Sequence, residues 1–284
     1  MDEINLSTTM ANELLEGHYA RKLSDQDVQK LKDQDSRLVS DYQSRKLEQE
    51  AKKNWDLFYK RNSNHFFKDR HWTRREFEEL LNNSESVEPG RLCRKMFEVG
   101  CGVGNLIYPL LEEGSDMFIY ACDISHSAIE LLKSNPMYSD SAVKAFQCDI
   151  TTDDVFDVIP TNSLDIITLI FVLSSIHPDN FEKTLRNLFK LLKPGGVFLF
   201  RDYGLYDMAQ LRFKPGHKIA DNFYMRQDGT RSYYFSEERL GQLLASVGLE
   251  VHTNCYVQRR TVNRKDGIDV PRVFVQAKCS KPAG

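Results

Sequence analysis

No stretch of this chain approaches the roughly 20 consecutive apolar residues needed to cross a bilayer, so no membrane-spanning segment is expected. The opening MDEINLSTTM has neither a basic n-region nor an apolar h-region. Residues 1–50 hold eleven acidic against seven basic side chains, the reverse of an Arg-rich presequence. Neither secretion nor organellar import is expected, and the cytosol or the nucleus is the expected compartment. Also missing is any C-x-x-C pair: Cys93, Cys101, Cys122, Cys148, Cys255 and Cys279 are scattered, so a zinc site has no ligand spacing and no metal is expected. Most of these thiols are expected to be reduced, buried and inert. There is no internal repeat and no low-complexity tract.

What remains is the composition of an ordinary folded protein, 41% hydrophobic and 28% charged over 284 residues, enough for one large domain or two small ones. Its net charge of −3 conceals a change of sign along the chain. Residues 52–75 carry eight Lys/Arg and two acids, Met96–Phe200 six and fourteen, and Cys255–Lys281 seven and two. Two basic flanks therefore enclose an acidic centre. Charge alone leaves two readings open, a solvated surface or a grip on a polyanion.

Residues 1–37 are polar and acidic, and although Ser24 and Asp27 have capping-box-like spacing before a short helical pattern, this part is expected to be a weakly ordered leader. From Leu38 to Arg61 the residues favour helix, with Trp55, Phe58 and Tyr59 on one face that must cover something apolar. Asn62–Leu81 is dense in aromatic and basic side chains, and the polar linker Asn82–Gly90 closes on Pro89-Gly90. Residues 38–90 thus form an N-terminal helical, basic-aromatic region, and 91–284 a second domain with a basic C-terminal flank.

In that second domain, strands are predicted at Lys95–Val99, Met117–Asp123, Val143–Gln147, Leu164–Phe171, Val197–Asp202, Val251–Gln258 and Arg272–Lys278. Helices are predicted at Asn105–Glu112, Ser127–Ser134, Asn180–Leu192 and Glu237–Val247. Short apolar strands alternating with helices predict an α/β, doubly wound, mostly parallel sheet with helices on both faces.

The first strand runs into Glu98-Val99-Gly100-Cys101-Gly102-Val103-Gly104-Asn105, a glycine loop opening a helix. Such a loop lets a ligand approach the backbone and presents free N–H groups, although a turn without a ligand has the same pattern. Asp123 ends the second strand, where a carboxylate accepts hydrogen bonds from both hydroxyls of a ribose. Asp149 follows the third, placed to bind an adenine amino group with Ile150 against the ring. A dinucleotide dehydrogenase would satisfy these features as well.

The run Glu98–Gly104, the acids Asp123 and Asp149, and the turn Lys193-Pro194-Gly195-Gly196 before the fifth strand together resemble the motif set of class I methyltransferases. The resemblance implies a seven-stranded Rossmann-like fold, its last strand antiparallel beside the fifth, and S-adenosylmethionine as cofactor, released as S-adenosylhomocysteine. It implies that Gly100, Gly102 and Asn105 line the methionine part, Asp123 the ribose, Asp149 and Ile150 the adenine, and Ile170 the sulfonium side.

The ends of strands four and five lack both the Asn/Asp-Pro-Pro-Tyr signature of enzymes that methylate adenine amino groups and the Pro-Cys pair of those that attack cytosine C5. Four blocks, Asn54–Tyr59, Phe66–Trp72, Phe200–Asp207 and Arg226–Arg231, instead resemble the tRNA N3-methylcytidine methyltransferases. The likeness runs from about Leu38 to Lys278, and the short length is similar to the branch acting on serine tRNAs. It implies N3-methylcytidine at position 32 of the anticodon loop, a tRNA partner, and a seryl-tRNA synthetase as helper; nothing in the sequence demands more than a monomer.

N3 of cytosine carries an in-plane lone pair and no proton, so attack on a methyl group needs orientation rather than a general base. The product is cationic, and Asp202 is the carboxylate expected to stabilise it, against the plainer reading that it holds a loop or pairs with Arg201. Tyr203, with Tyr206 and Phe67, is expected to stack an extruded base. Trp55 and Tyr59 read as core by spacing, but the resemblance places them on a lid over the cofactor. Phe67, Lys68, Arg70, His71, Arg201, Arg259, Arg264 and Arg272 are the expected RNA contacts, and His177 is expected to be structural. A small-molecule or protein N-methyltransferase, and a noncatalytic tRNA- or synthetase-binding adaptor, remain as alternatives.

Overall fold

The computed structural model describes residues 22–63, 70, 72–81, 93–263 and 268–284. The parallel part of the main sheet starts with β1 (Lys95–Val99), β2 (Phe118–Asp123) and β3 (Val143–Gln147), and continues with β4 (Leu164–Ile170) and β5 (Leu192–Tyr203). Three short strands, β6 (Lys218–Ala220), β7 (Phe223–Met225) and β8 (Arg231–Tyr233), form a separate antiparallel sheet. The long pair β9 (Glu250–Asn263) and β10 (Ile268–Ser280) completes the main sheet, whose order is β3-β2-β1-β4-β5-β10-β9 with β10 antiparallel to β5. That is the seven-stranded arrangement expected.

Strand alternation divides the core in two. Phe97, Ile167, Phe198 and Phe200 face one cluster with Phe181 and Leu244, whereas Met96, Ile166 and Leu199 face the other with Leu106 and Ile129. Side chains two residues apart share a face, so both surfaces of a central strand must be apolar. The helices that cover them include Ile107–Glu112, Phe181–Leu191 and Glu237–Ser246.

Ahead of the sheet lie α1 (Asp25–Asp35), α2 (Asp41–Gln49), α3 (Ala51–Asn62) and α4 (Trp72–Glu76). The expected leader needs correction over residues 25–35. Ser24 caps α1 by accepting from the Asp27 amide at 3.2 Å, and buried Gln34 donates to the Gln210 carbonyl at 2.9 Å and accepts from the Tyr224 hydroxyl at 2.9 Å. The short helical pattern expected after Ser24 is present as α1, a polar helix held by a buried amide network rather than by an apolar stripe. The single helix expected over Leu38–Arg61 is broken at Glu50, between α2 and α3. The small sheet and the helix Met208–Leu211, inserted between β5 and the Glu237–Ser246 helix, were not predicted.

Among the described residues no helix is long and apolar enough to cross a membrane, and no group of His, Cys, Asp or Glu side chains is placed to hold a metal ion. None of the six cysteines is in a disulfide, and four of them are buried.

Candidate active site

A cleft opens at the carboxyl ends of β1–β5, and its floor begins with the glycine loop. Gly100 and Gly102 have φ of +66° and +55°, left-handed values that glycine adopts without strain. A Cβ on Gly100 would lie 2.3 Å from Val172 Cγ2, and one on Gly102 would lie 2.8 Å from the Tyr59 hydroxyl. The space above the loop therefore exists only while these positions lack side chains. Asp123 closes one side: its two oxygens accept from the Gly102 and Ser125 amides, each at 2.9 Å. Burial pushes the Asp123 carboxyl up to about 6, against the lowering effect of those amides. Asp149 and Ile150 line the next stretch, and Asp149 is oriented by the Thr151 amide and hydroxyl at 2.9 and 2.6 Å.

The roof is the helical face Glu48, Ala51, Trp55 and Tyr59, at spacings of three, four and four residues across α2 and α3. Phe58 and Tyr59 pack on Val103 of the glycine loop and on Ala128 of the helix His126–Lys133. Asp56 ties the same two helices by accepting from the Ser125 hydroxyl at 2.7 Å and the Ser127 amide at 3.0 Å. Trp55 and Tyr59 are thus both packed and cleft-lining, so the two readings of their spacing describe one arrangement.

Arg70 is not on an outer RNA face. Its amide donates to the Asn105 carbonyl at 2.7 Å, and its guanidinium, in the cleft wall, stands 3.9 Å from buried Glu98 and 3.4 Å from the Ile170 carbonyl. Burial pushes Glu98 up to about 8, with Arg70 opposing and Asp123 adding to the rise. One Glu98 oxygen, Oε2, lacks a hydrogen-bond partner among the described residues. Ile170 turns into the core instead of the cleft, because the strand alternates there; Phe171, at φ +59°, and Val172 take the cleft side.

Asp202 is fully buried and does not line the cleft. Its oxygens accept from the Ser174 and Tyr203 amides, both at 2.9 Å, and burial raises its carboxyl to about 6. The expected electrostatic role is corrected to a positioning one: Asp202 fastens the loop after β4 to the end of β5. Asp202→Ala strands one buried and one part-buried amide at about 1–3 kcal/mol each, so the melting midpoint should fall by roughly 5–10 °C, read by differential scanning calorimetry. An unchanged midpoint with collapsed turnover would restore the electrostatic role.

Arg201 and Arg272 are also corrected. Arg201 is buried against the Trp72 ring at 4.2 Å and donates to Glu76 at 2.7 Å, and burial lowers its pKa to about 10. Arg272 donates to Asp207 at 2.9 and 3.0 Å. Arg259 is half-exposed but shares Glu76, at 2.6 Å. Phe67, Lys68, His71 and Arg264 lie outside the described residues. Tyr203 lines the cleft, its ring 5.2 Å from Phe171 and under the Arg226 guanidinium at 5.1 Å. His177, although it also lines the cleft, accepts from the Asp179 amide at 3.3 Å as a structural residue does.

Sequence reasoning missed Glu48, Arg226 and Arg231 as lining residues. Glu48 was findable, since it lies on the Trp55/Tyr59 face; Arg226 and Arg231 depend on the inserted small sheet.

Glycine loop, ribose-side carboxylate, adenine-side Asp-Ile pair and helical roof, at the ends of this strand order, define a class I S-adenosylmethionine-dependent methyltransferase. The cleft fits the cofactor: the Cβ-free cradle leaves it room, Arg70 in the wall offers a positive charge to its carboxylate, and behind Arg70 the buried Glu98 keeps one oxygen without a hydrogen-bond partner. A methyltransferase domain family matches residues 70–254. A methyltransferase from Anabaena variabilis shares the fold at 12% identity and TM-score 0.57, over 81% of this chain and 95% of that one. Human tRNA N(3)-cytidine methyltransferase METTL6 is 56% identical over 220 residues, 78% of this chain and 76% of its own length. Zebrafish (Danio rerio) tRNA N(3)-cytidine methyltransferase METTL2 is 43% identical over 247 residues, 77% and 70% of the two chains. This chain belongs to the tRNA N3-cytidine methyltransferase family.

Proposed function

We propose that the chain methylates N3 of a cytidine in tRNA, at position 32 of the anticodon loop, with serine tRNAs as its substrates and a seryl-tRNA synthetase as helper. The observation that carries the reading is that the cleft holding the cofactor-side residues is also lined by Phe171 and Val172 just after β4, Tyr203 at the end of β5 and Arg226 just after β7, which wall a chamber for the acceptor base. N3 is on the Watson–Crick edge, so the base must be unpaired and extruded to reach such a chamber, and the Phe171–Tyr203 pair offers an aromatic wall to stack it.

Bound S-adenosylmethionine supplies an electrophilic methyl group. The chain's own residues hold and orient: Asp123 and Asp149 hold the nucleoside end, Arg70 the carboxylate, and the Trp55–Tyr59 face shields the cleft from water. Beside the cleft runs a second groove lined by Tyr42, Lys46, His217 and Gln227, which shares Arg226 with it. A stacking ring and cationic groups next to the chamber mouth suit the strand flanking the target base.

The test incubates the purified protein with labelled S-adenosylmethionine and tRNA from cells lacking N3-methylcytidine, with and without cell extract. The methylated nucleoside is then identified by mass spectrometry and located by tRNA sequencing. N3-methylcytidine in serine tRNAs is expected, and dependence on extract would support the helper. A different nucleoside would overturn the substrate, and cofactor binding without any product would favour the adaptor.

A further inference from the structure

Cytosine and uracil differ on the edge that reacts. Beside N3, cytosine presents an amino donor at C4, where uracil presents an oxygen acceptor and a protonated N3. An acceptor fixed next to the chamber therefore selects cytosine. During transfer the N3 lone pair forms the new N–CH3 bond while the C–S pair stays on sulfur, so the sulfonium charge passes to the base and no proton leaves. A carboxylate at this edge gains interaction as that charge develops.

Among the described residues three carboxylates line the cleft: Glu48, Asp123 and Asp149. Asp123 and Asp149 stand at the ends of β2 and β3, on the far side of β1 from β4 and β5, and their oxygens are turned to Gly102, Ser125 and Thr151. Glu48 is on the acceptor side. Its Oε1 accepts from Asn180 Nδ2 at 3.5 Å, in the segment after β4, and its Oε2 accepts from Arg231 Nη1 of β8. Arg231 is itself buried, so the carboxylate is anchored, yet the Glu48 side chain stays 40% exposed and reachable. Each anchored oxygen keeps a lone pair for a ligand.

We propose that Glu48 reads the 4-amino group of the target cytosine and balances the charge of the methylated base. This rests on the reading that cytidine N3 is the acceptor. A purely structural Glu48 would only hold Arg231, so the test needs a readout that such a role would not move.

Anticodon stem-loops or full tRNAs carrying at the target position either cytidine or its 4-deamino analogue, a pyrimidin-2-one riboside, are compared with the wild type and Glu48→Gln. Intrinsic reactivity of the two bases is common to both enzymes and cancels. Glu48→Gln should lower kcat/KM for cytidine by ~100-fold and for the analogue by under ~10-fold, both measured at saturating cofactor. Equal losses on both substrates would overturn the proposal. Should the glutamine variant fold poorly, Glu48→Asp, which keeps the charge, should retain the cytidine preference, and loss of that preference in folded protein would count against it equally. A wild type inactive on cytidine N3 would instead sink the functional reading; an active one with an unmoved ratio sinks Glu48 alone.

Discussion

Asp123→Ala is expected to weaken S-adenosylmethionine binding by ~100–1,000-fold in isothermal titration calorimetry. A carboxylate that accepts from both ribose hydroxyls makes two charge-assisted hydrogen bonds, each about 1.5–3 kcal/mol. The alanine also releases the Gly102 and Ser125 amides that Asp123 holds at 2.9 Å, so the loop that cradles the cofactor loses its tether. Asp123→Asn keeps the shape and should fall between. Because burial raises this carboxyl to about 6, wild-type affinity should decline as pH drops through 6, when the acceptor becomes protonated, and the asparagine variant should lose that inflection. Affinity of Asp123→Ala within about threefold of wild type would overturn the ribose assignment.

Glu98→Gln should change how the cofactor-free protein responds to pH. Burial holds the Glu98 carboxyl at about 8, above the ordinary glutamate value of 4.5, so the folded chain keeps a proton that the unfolded chain has released. The stability this contributes is complete below 4.5 and is lost as pH rises through 8. Glutamine mimics the protonated form and has nothing to lose. Between pH 6 and 8 the wild type should therefore lose on the order of 2 kcal/mol relative to the variant, seen in urea midpoints measured across that range. Parallel curves would show that Glu98 does not titrate there. A cofactor ammonium arriving beside Glu98 restores its charged form, so binding at pH 7 should release about one proton in the wild type and none in the variant. Calorimetry in buffers of different ionisation enthalpy measures this.

How much of the site the sequence disclosed differs from residue to residue. Gly100, Gly102, Asp123, Asp149 and Ile150 were legible because each is fixed by its place at a strand end, and strand ends are read from short apolar runs. Ile170 was misplaced by one position, since the sequence gives the period of a strand but not its phase at the last residue; the cleft falls to Phe171. Asp202, Arg201 and Arg272 share a different reason. Charge in a sequence carries no partner, and the partners here, Ser174, Glu76 and Asp207, lie 28, 125 and 65 residues away.

By itself the sequence determined the alternation of strands and helices, the glycine loop and the two acids that follow it, because these depend on local periodicity and backbone freedom. Only the tertiary structure decided which charges are spent inside the fold and which face the cleft. It alone brought Glu48 of an early helix beside Arg231 of an inserted sheet, since ion pairing over 183 residues is set by how the layers pack and by nothing local.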